Sequence, residues 1–117
     1  MEQINAVGRR KAAVARIYLR KGEGKITVNG KDYREYFTAP HVTGIPAEAM
    51  ATVDVATAYD VLVTVKGGGF KGQAEAVRMG IARALVKLNE EFRKPLKVKK
   101  MLMRDPRAVE QIGRAHV

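Results

Sequence analysis

The alternation of hydrophobic and polar residues is clearest between residues 61 and 88, where it predicts a strand, a glycine turn and a long helix. At the start of this stretch three valines alternate with Leu62 and Thr64, and we therefore expect a strand that is covered on both faces. Residues 67–69 are all glycine and end the strand, because residues without Cβ cannot hold a packed pleated surface.

After Gly72 the apolar residues recur with a period of about 3.6, which predicts an amphipathic helix. The apolar stripe of this helix consists of Ala74, Val77, Ile81, Ala84, Leu85 and Leu88. Every other segment is short, so we expect the strand and the helix of residues 61–88 to carry the core on which the rest of the chain packs.

A second alternation, over residues 14–20, predicts a half-buried strand with Arg16 and Tyr18 on its outer face. Residues 21–25 are rich in Gly and Lys, and they predict a hairpin loop. Residues 26–28 are then expected to return as the partner strand of that hairpin.

The segments on either side of the long unit are less regular. Asp32 is placed as the N-cap of a short helix, and three aromatic residues follow whose spacing is more typical of core than of base stacking: Tyr33, Tyr36 and Phe37. Residues 38–58 contain few large apolar side chains, so we expect them to pack weakly around a short helix at 47–51. Near the C-terminus, Pro95 marks a break, and residues 96–100 form a basic alternating segment.

The glycines form a Gly-x-Gly-x-x-Gly motif between a predicted strand and a predicted helix, which is the context of a dinucleotide-binding turn. No acidic residue follows at the end of a second parallel strand, and Gly72 precedes Gln73 instead of Lys, so we expect no nucleotide cofactor. Two interpretations remain. Either the glycines only permit a tight turn, or the N–H groups at the helix start, between Lys66 and Lys71, bind a phosphate of a nucleic-acid backbone.

The net charge of +10 is unevenly distributed along the 117 residues, and this favours the nucleic-acid interpretation. Residues 1–25 carry a net charge of +5 and residues 66–117 a net charge of +8, while residues 26–65 between them carry −3. Two basic flanks around a mildly acidic middle are typical of a surface that faces a polyanion. Three consecutive cations at 9–11 could straddle backbone phosphates, which Arg binds through two N–H groups.

Several kinds of chemistry are excluded by composition. The chain has no Cys, so disulfides, thiolate metal sites and Cys nucleophiles are absent, and its two His residues, His41 and His116, lie far apart. We therefore expect no metal site and no catalytic residues. No signal peptide and no apolar run of membrane-spanning length is visible, and we expect a cytoplasmic protein without membrane contact.

Seven blocks of the chain occur in the order of one known family. They are residues 8–16 (GRRKAAVAR), 24–29 (GKITVN), 36–37 (YF), 64–69 (TVKGGG), 72–73 (GQ), 80–85 (GIARAL) and 104–110 (RDPRAVE). In these blocks the chain resembles the ninth protein of the small ribosomal subunit, of the bacterial type. The resemblance implies a single α/β (α+β) domain similar to the second domain of the fifth small-subunit protein. In that fold a four-stranded sheet carries helices and an unusual left-handed βαβ crossover.

The resemblance also implies a function, which is that of a structural constituent of the small subunit and not of an enzyme. The expected partners are the ribosomal RNA of the subunit head (its 3′ major domain) and neighbouring ribosomal proteins. The RNA-binding residues are expected to be Arg9, Arg10, Lys11, Arg16, Lys66, Gly67, Gly68, Gly69, Lys71, Gly72, Arg78, Arg104 and Arg107.

The domain is expected to span residues 1–110, with residues 111–117 as a short, atypical tail. Members of the family carry a long basic tail that reaches the peptidyl-tRNA site, whereas residues 111–117 hold one Arg and no Lys. We therefore expect no tRNA contact from this segment.

Two other functions compete with this one. The protein subunit of ribonuclease P is similar in fold and also basic, but it would carry an Arg-rich signature on the long helix, where this chain has only Arg78, Arg83 and Lys87. A small nucleotide-binding enzyme is disfavoured by the incomplete glycine fingerprint.

Overall fold

The computed structural model of the chain describes residues 3–55, 57–99 and 101–102 and consists of a five-stranded sheet packed on one long helix, with short helices around them. The strands are β1 (Ile4–Arg10), β2 (Ala13–Lys21), β3 (Ile26–Val28), β4 (Lys31–Asp32) and β5 (Tyr59–Lys66). The helices are α1 (Tyr33–Tyr36), α2 (Glu48–Thr52), α3 (Phe70–Leu88) and α4 (Arg93–Val98), with single 3₁₀ turns at Ile45–Ala47 and Glu90–Phe92.

The strands lie in the order β1-β2-β5-β3-β4. All neighbouring pairs are antiparallel except β3 and β5, which are parallel. The α+β class is therefore confirmed, and the two-residue β4 at the sheet edge adds a fifth strand to the four that were expected. The connection from β3 to β5 contains α1 and α2, and it is the crossover for which the family resemblance implies a left-handed path.

The predicted hairpin between residues 14–20 and 26–28 is wrong, because β5 lies between β2 and β3. Residues 21–25 instead carry the chain across the end of β5. One carboxylate holds this loop: Oδ1 of Asp60 accepts hydrogen bonds from the backbone N–H groups of Glu23, Gly24 and Lys25 at 2.9–3.1 Å. These bonds, led by the one from Lys25, lower the pKa of Asp60 below its ordinary value.

The true hairpin partner of β2 is β1, a strand that the hydrophobic pattern did not reveal. The two strands pair from Ile4 opposite Leu19 to Arg10 opposite Ala13, and Lys11 and Ala12 form the turn between them. The free edge of β1 faces the C-terminal half of α3, where Arg83 donates to the carbonyl of Val7 at 3.0 Å and Lys87 donates to the carbonyl of Asn5 at 2.6 Å.

The expectation that β5 is covered on both faces is also wrong. One face of the sheet packs on α3 and contains the buried Val61, Val63 and Val65. On the opposite face Leu62 is 43% exposed and Thr64 is exposed. We call this second surface the open face of the sheet, and by the registers of the strands it also presents Val7, Arg9, Arg16, Tyr18, Arg20, Thr27 and Lys66.

Helix α3 fills the core as predicted, but over a wider face than the apolar stripe. Five of the six stripe residues are fully buried, and Leu88 packs partly buried against them. Ala76, Met79, Gly80 and Ala82 are buried as well. A Cβ on Gly80 would overlap the side chain of Ile17 on β2, so the absence of a side chain lets the helix lie directly on the sheet.

The remaining segments contribute more to the core than expected. Val42, Ala49 and Met50 are fully buried, although residues 38–58 were predicted to pack weakly, and α2 forms where a short helix was expected. Residues 96–98 belong to α4 and are not an alternating segment. Pro95 does not break this helix because it lies in the first turn, where its missing N–H has no helical partner.

The predicted N-cap of the first short helix is confirmed. Oδ1 of Asp32 accepts a hydrogen bond of 2.9 Å from the backbone N–H of Arg34. Phe37, immediately after this helix, is 1% exposed, and Tyr33 and Tyr36 pack partly buried against the core, as their spacing indicated.

Candidate nucleic-acid interface

The fold brings together the two basic segments that the sequence separates. Val14, at the start of β2, pairs with Lys66 at the end of β5, so the β1–β2 turn lies beside residues 67–69, which we call the glycine loop. The approach is close, because a Cβ on Gly67 would overlap the carbonyl oxygen of Ala12. Cations more than fifty positions apart in the chain therefore share one corner of the molecule.

Two depressions flank the β1–β2 turn at this corner. The first depression lies on the open face of the sheet, has a volume of about 430 Å³ and is lined by Arg9, Ala12, Val14, Arg16, Thr64, Lys66 and Gly67. Strand alternation explains this set, since Arg9 lies opposite Val14 and Arg16 lies opposite Thr64 in neighbouring strands. Three of the predicted RNA-binding cations thus surround one hollow.

The second depression lies on the other side of the turn, beside the start of α3. It has a volume of about 450 Å³ and is lined by Arg10, Lys11, Ala12, Gly68, Gly69, Lys71, Gly72 and Glu75. Ala12 borders both depressions. Cations from the turn and from the first turn of α3 therefore face the same space as the backbone of the glycine loop.

The backbone of the glycine loop has a conformation that suits both interpretations of the motif. Gly67 and Gly68 have φ angles of 87° and 68°, a region that L-residues with a Cβ disfavour. Gly69 is the N-cap of α3 and provides no side-chain hydrogen bond to the helix. The loop is thus a tight turn that needs glycine, and it also leads into a helix start whose first N–H groups have no side-chain cap.

A chain of hydrogen bonds holds the glycine loop in place. Nε2 of Gln73 donates to the carbonyl of Gly67 at 3.1 Å, and Oε1 of Gln73 accepts from the hydroxyl of Tyr36 at 2.8 Å. The side chain of Asn29 pairs with both backbone groups of Val65 at 2.9 Å and donates to the Tyr36 hydroxyl at 3.3 Å. The network therefore ties the end of β5 and the loop to α1 and α3.

Sequence reasoning missed the two amides of this network. Gln73 is 8% exposed and is the one buried polar side chain among the described residues. A polar residue on the core side of a predicted amphipathic helix was a usable signal, because buried polar groups are nearly always hydrogen-bonded. Asn29 precedes Gly30, a pair typical of a tight turn, and nothing local indicates that its side chain pairs with β5.

An acidic residue also belongs to the second depression. Nε of Arg10 and Oε1 of Glu75 form an ion pair of 2.6 Å, with the two side chains 19% and 17% exposed. The charge of Arg10 is thus partly neutralised by Glu75, so the cations of this depression do not all present equivalent charges to a ligand.

Other predicted site residues lie elsewhere. Arg78 is on α3 but lines neither depression. Its Nη1 forms an ion pair of 2.6 Å with Oε1 of Glu48, the first residue of α2. Arg104 and Arg107 lie outside the described residues, as do the expected domain boundary at residue 110 and the tail at 111–117.

The described residues contain neither a metal-binding cluster nor a membrane-spanning helix. In that part of the chain, no three His, Cys, Asp or Glu side chains are grouped so that they could hold a metal ion. Nor does any helix there have the length and apolar character to cross a membrane.

Comparison with known proteins identifies relatives along nearly the whole chain. Residues 8–114 match the profile of the family described as ribosomal protein S9/S16. Small ribosomal subunit protein uS9 of Porphyromonas gingivalis is 48% identical over 111 residues, which cover 95% of this chain and 87% of the relative. The protein of the same name from Thermus thermophilus has the same identity and coverage. The one from Amoebophilus asiaticus is 47% identical over 116 residues, or 99% of this chain and 91% of the relative.

Proposed function

Because this chain belongs to the ribosomal protein S9/S16 family, we propose that it is a structural constituent of the small ribosomal subunit and binds ribosomal RNA with the corner formed by the β1–β2 turn and the glycine loop. Its role is structural and not enzymatic, and its place is the ribosome in the cytoplasm of bacteria. The partners are the RNA of the subunit head and the ribosomal proteins that surround it there.

The observation that carries the proposal is the convergence of two separated basic segments on one turn. Arg9, Arg16 and Lys66 border the first depression, and Lys11 and Lys71 border the second. An RNA backbone that passes over the turn would place phosphates against both hollows. Arg can bind a phosphate through two N–H groups, while Lys supplies a compact charge.

The glycine loop adds neutral donors to these charges. A helix start without a side-chain cap offers backbone N–H groups and the positive end of the helix dipole. Gly68 and Gly69 line the second depression beside Lys71, and the absence of side chains allows a phosphate to come close to the backbone. Backbone contacts of this kind position an RNA without reading its sequence.

The competing functions lack support. The family match is to a ribosomal protein and not to the protein of ribonuclease P. A dinucleotide site requires a parallel strand directly after the helix that follows the glycines. Here α3 is followed by a 3₁₀ turn and α4, so the glycine loop does not belong to such a unit within the described part of the chain.

Salt dependence of binding tests the proposal. If about six phosphates are engaged, the slope of log affinity against log salt should be roughly −4 to −5 on a transcript of the 3′ major domain. Lys66→Ala and Lys71→Ala should each weaken binding and reduce the slope by about 1. Lys94→Ala, which removes an exposed cation from α4, is the matched control and should change neither.

The proposal fails on either of two results. A slope near −1 for the unaltered protein would mean that the basic corner engages no more than one or two phosphates. An equal loss of affinity in all three Lys variants would show that total charge, and not this corner, determines binding.

A further inference from the structure

Phe70 is a large aromatic residue that the fold leaves in water at the edge of the proposed RNA surface. It is the first residue of α3 and its side chain is 61% exposed. Its chain neighbours Gly69 and Lys71 both line the second depression. Isolated exposed apolar residues are common, so exposure alone assigns no role to this ring.

The ring of Phe70 packs against two other aromatic residues, and these contacts restrict its orientation. It makes edge-to-face contacts with Tyr36 and Phe37, with ring centroids 5.7 and 6.4 Å apart and interplanar angles of 85° and 89°. Both neighbours are themselves restrained by their surroundings. Phe37 is buried, and the hydroxyl of Tyr36 is hydrogen-bonded to Gln73.

The exposed ring of Phe70 lies beside the cations and backbone N–H donors of the second depression. Because packing already restricts the orientation of this ring, the ring loses little conformational freedom on binding. Successive residues of a helix diverge by about 100°, so Phe70 and Lys71 can contact different parts of one nucleotide strand. Aromatic rings beside a basic groove are the usual platform for unpaired bases.

We propose that Phe70 stacks on an unpaired base of the RNA whose phosphates occupy the second depression. This inference rests on the proposed function and adds a preference to it, namely for RNA with an unstacked nucleotide at this point. A regular duplex offers no base face to an exposed ring, because its bases are stacked on one another. A protein partner is less favoured, since an apolar contact here would also desolvate Lys71.

Two RNA hairpins test the inference. One carries a single bulged 2-aminopurine, whose fluorescence falls when it stacks, and the other is the same hairpin without the bulge. The protein should bind the bulged hairpin more tightly and quench its fluorescence. Phe70→Leu should weaken binding to the bulged hairpin by about 5- to 150-fold, the range of one base–aromatic stack. It should leave binding to the regular hairpin unchanged within about twofold and retain the salt slope.

Phe70→Trp serves as the matched variant, because it keeps an aromatic face and should retain both affinity and quenching. If the unaltered protein binds both hairpins equally and without quenching, the inference is wrong. A steep salt slope in the same experiment would still support the proposed function. Loss of salt-dependent binding to both hairpins would overturn both. If Phe70→Leu instead impairs only incorporation into subunits, with quenching intact, the ring contacts a protein and the inference is wrong.

Discussion

The amide of Gln73 should couple the stability of the fold to the shape of the proposed RNA surface. Replacing it with Leu keeps a helix-favouring side chain of similar size, but removes the acceptor of the Tyr36 hydroxyl and the donor to the Gly67 carbonyl. Each lost hydrogen bond costs about 0.5–1.5 kcal/mol, and up to about 3 kcal/mol when the partner stays buried and unsatisfied. We therefore expect Gln73→Leu to lower the free energy of unfolding by about 1–3 kcal/mol.

Thermal and urea unfolding, followed by circular dichroism, would measure this change. For a domain of about 117 residues, 1 kcal/mol corresponds to a Tm shift of about 4 °C. Tyr36→Phe is the matched variant, because it removes one hydroxyl and keeps the ring that packs on Phe37 and Phe70. In a double-mutant cycle, Tyr36→Phe should cost less once Gln73 is Leu, with a coupling energy of about 1 kcal/mol.

RNA affinity provides the second readout of the same variant. If the network fixes the glycine loop for phosphate binding, Gln73→Leu should weaken RNA binding even at temperatures where the variant is fully folded. An unchanged Tm would refute the view that these bonds support the fold. A lowered Tm with unchanged RNA affinity would show that the glycine loop keeps its shape without the amide, and it would separate the network from the site.

The carboxylate of Asp60 and the glycines of the loop give two further predictions. Hydrogen bonds from Lys25 and Glu23 lower the pKa of Asp60 in the folded protein. The carboxylate should therefore stabilise the fold fully above the ordinary Asp pKa of about 3.9, and this contribution should be lost as the pH falls through the lower pKa of the folded state. Asp60→Asn should reduce stability at pH 7 and flatten the acid limb of a plot of Tm against pH, and an unaltered limb would contradict this assignment. Gly69→Ala should fold normally, since φ is −95° and open space surrounds a Cβ there, yet it should weaken RNA binding if phosphate approaches the loop. Gly68 has a φ of 68°, and an added Cβ would lie 3.3 Å from Ala13. Gly68→Ala should therefore lower the free energy of unfolding by about 1–2 kcal/mol. Equal Tm values for the two variants would show that the loop can change its conformation.

The sequence predicted the parts of the fold whose signals are local. Residues 61–88 form β5, the glycine loop and α3 as predicted. The spacing of apolar residues along the chain is sufficient to indicate a strand or a helix. The N-cap at Asp32 and the α2 segment were recognisable for the same reason. The cations that line the two depressions were also identified, since their clustering in the sequence is independent of how the segments pair.

What the sequence did not predict depends on contacts between distant residues. The insertion of β5 between β2 and β3 contradicts the local hairpin pattern at residues 21–25, and Asp60, far along the chain, holds that loop. The open face around Leu62 could not be recognised, because an apolar or neutral side chain on a strand does not show which face a helix covers. Arg78 looked like its basic neighbours, but tertiary structure pairs it with Glu48.

The place of β5 in the sheet also determines when the proposed RNA surface can form during synthesis. The β1–β2 hairpin is complete at Lys21, but the strand that pairs with the inner edge of β2 ends only at Lys66. At typical elongation rates of about 5–20 residues per second, this edge waits roughly 2–9 s for its partner. During that interval the nascent hairpin carries cations beside an unpaired strand edge, which is the kind of surface that associates with other chains. The step that ends this exposure, docking of β5, also brings Lys66 and the glycine loop against the β1–β2 turn. The same event therefore covers the unpaired edge of β2 and assembles the proposed RNA surface.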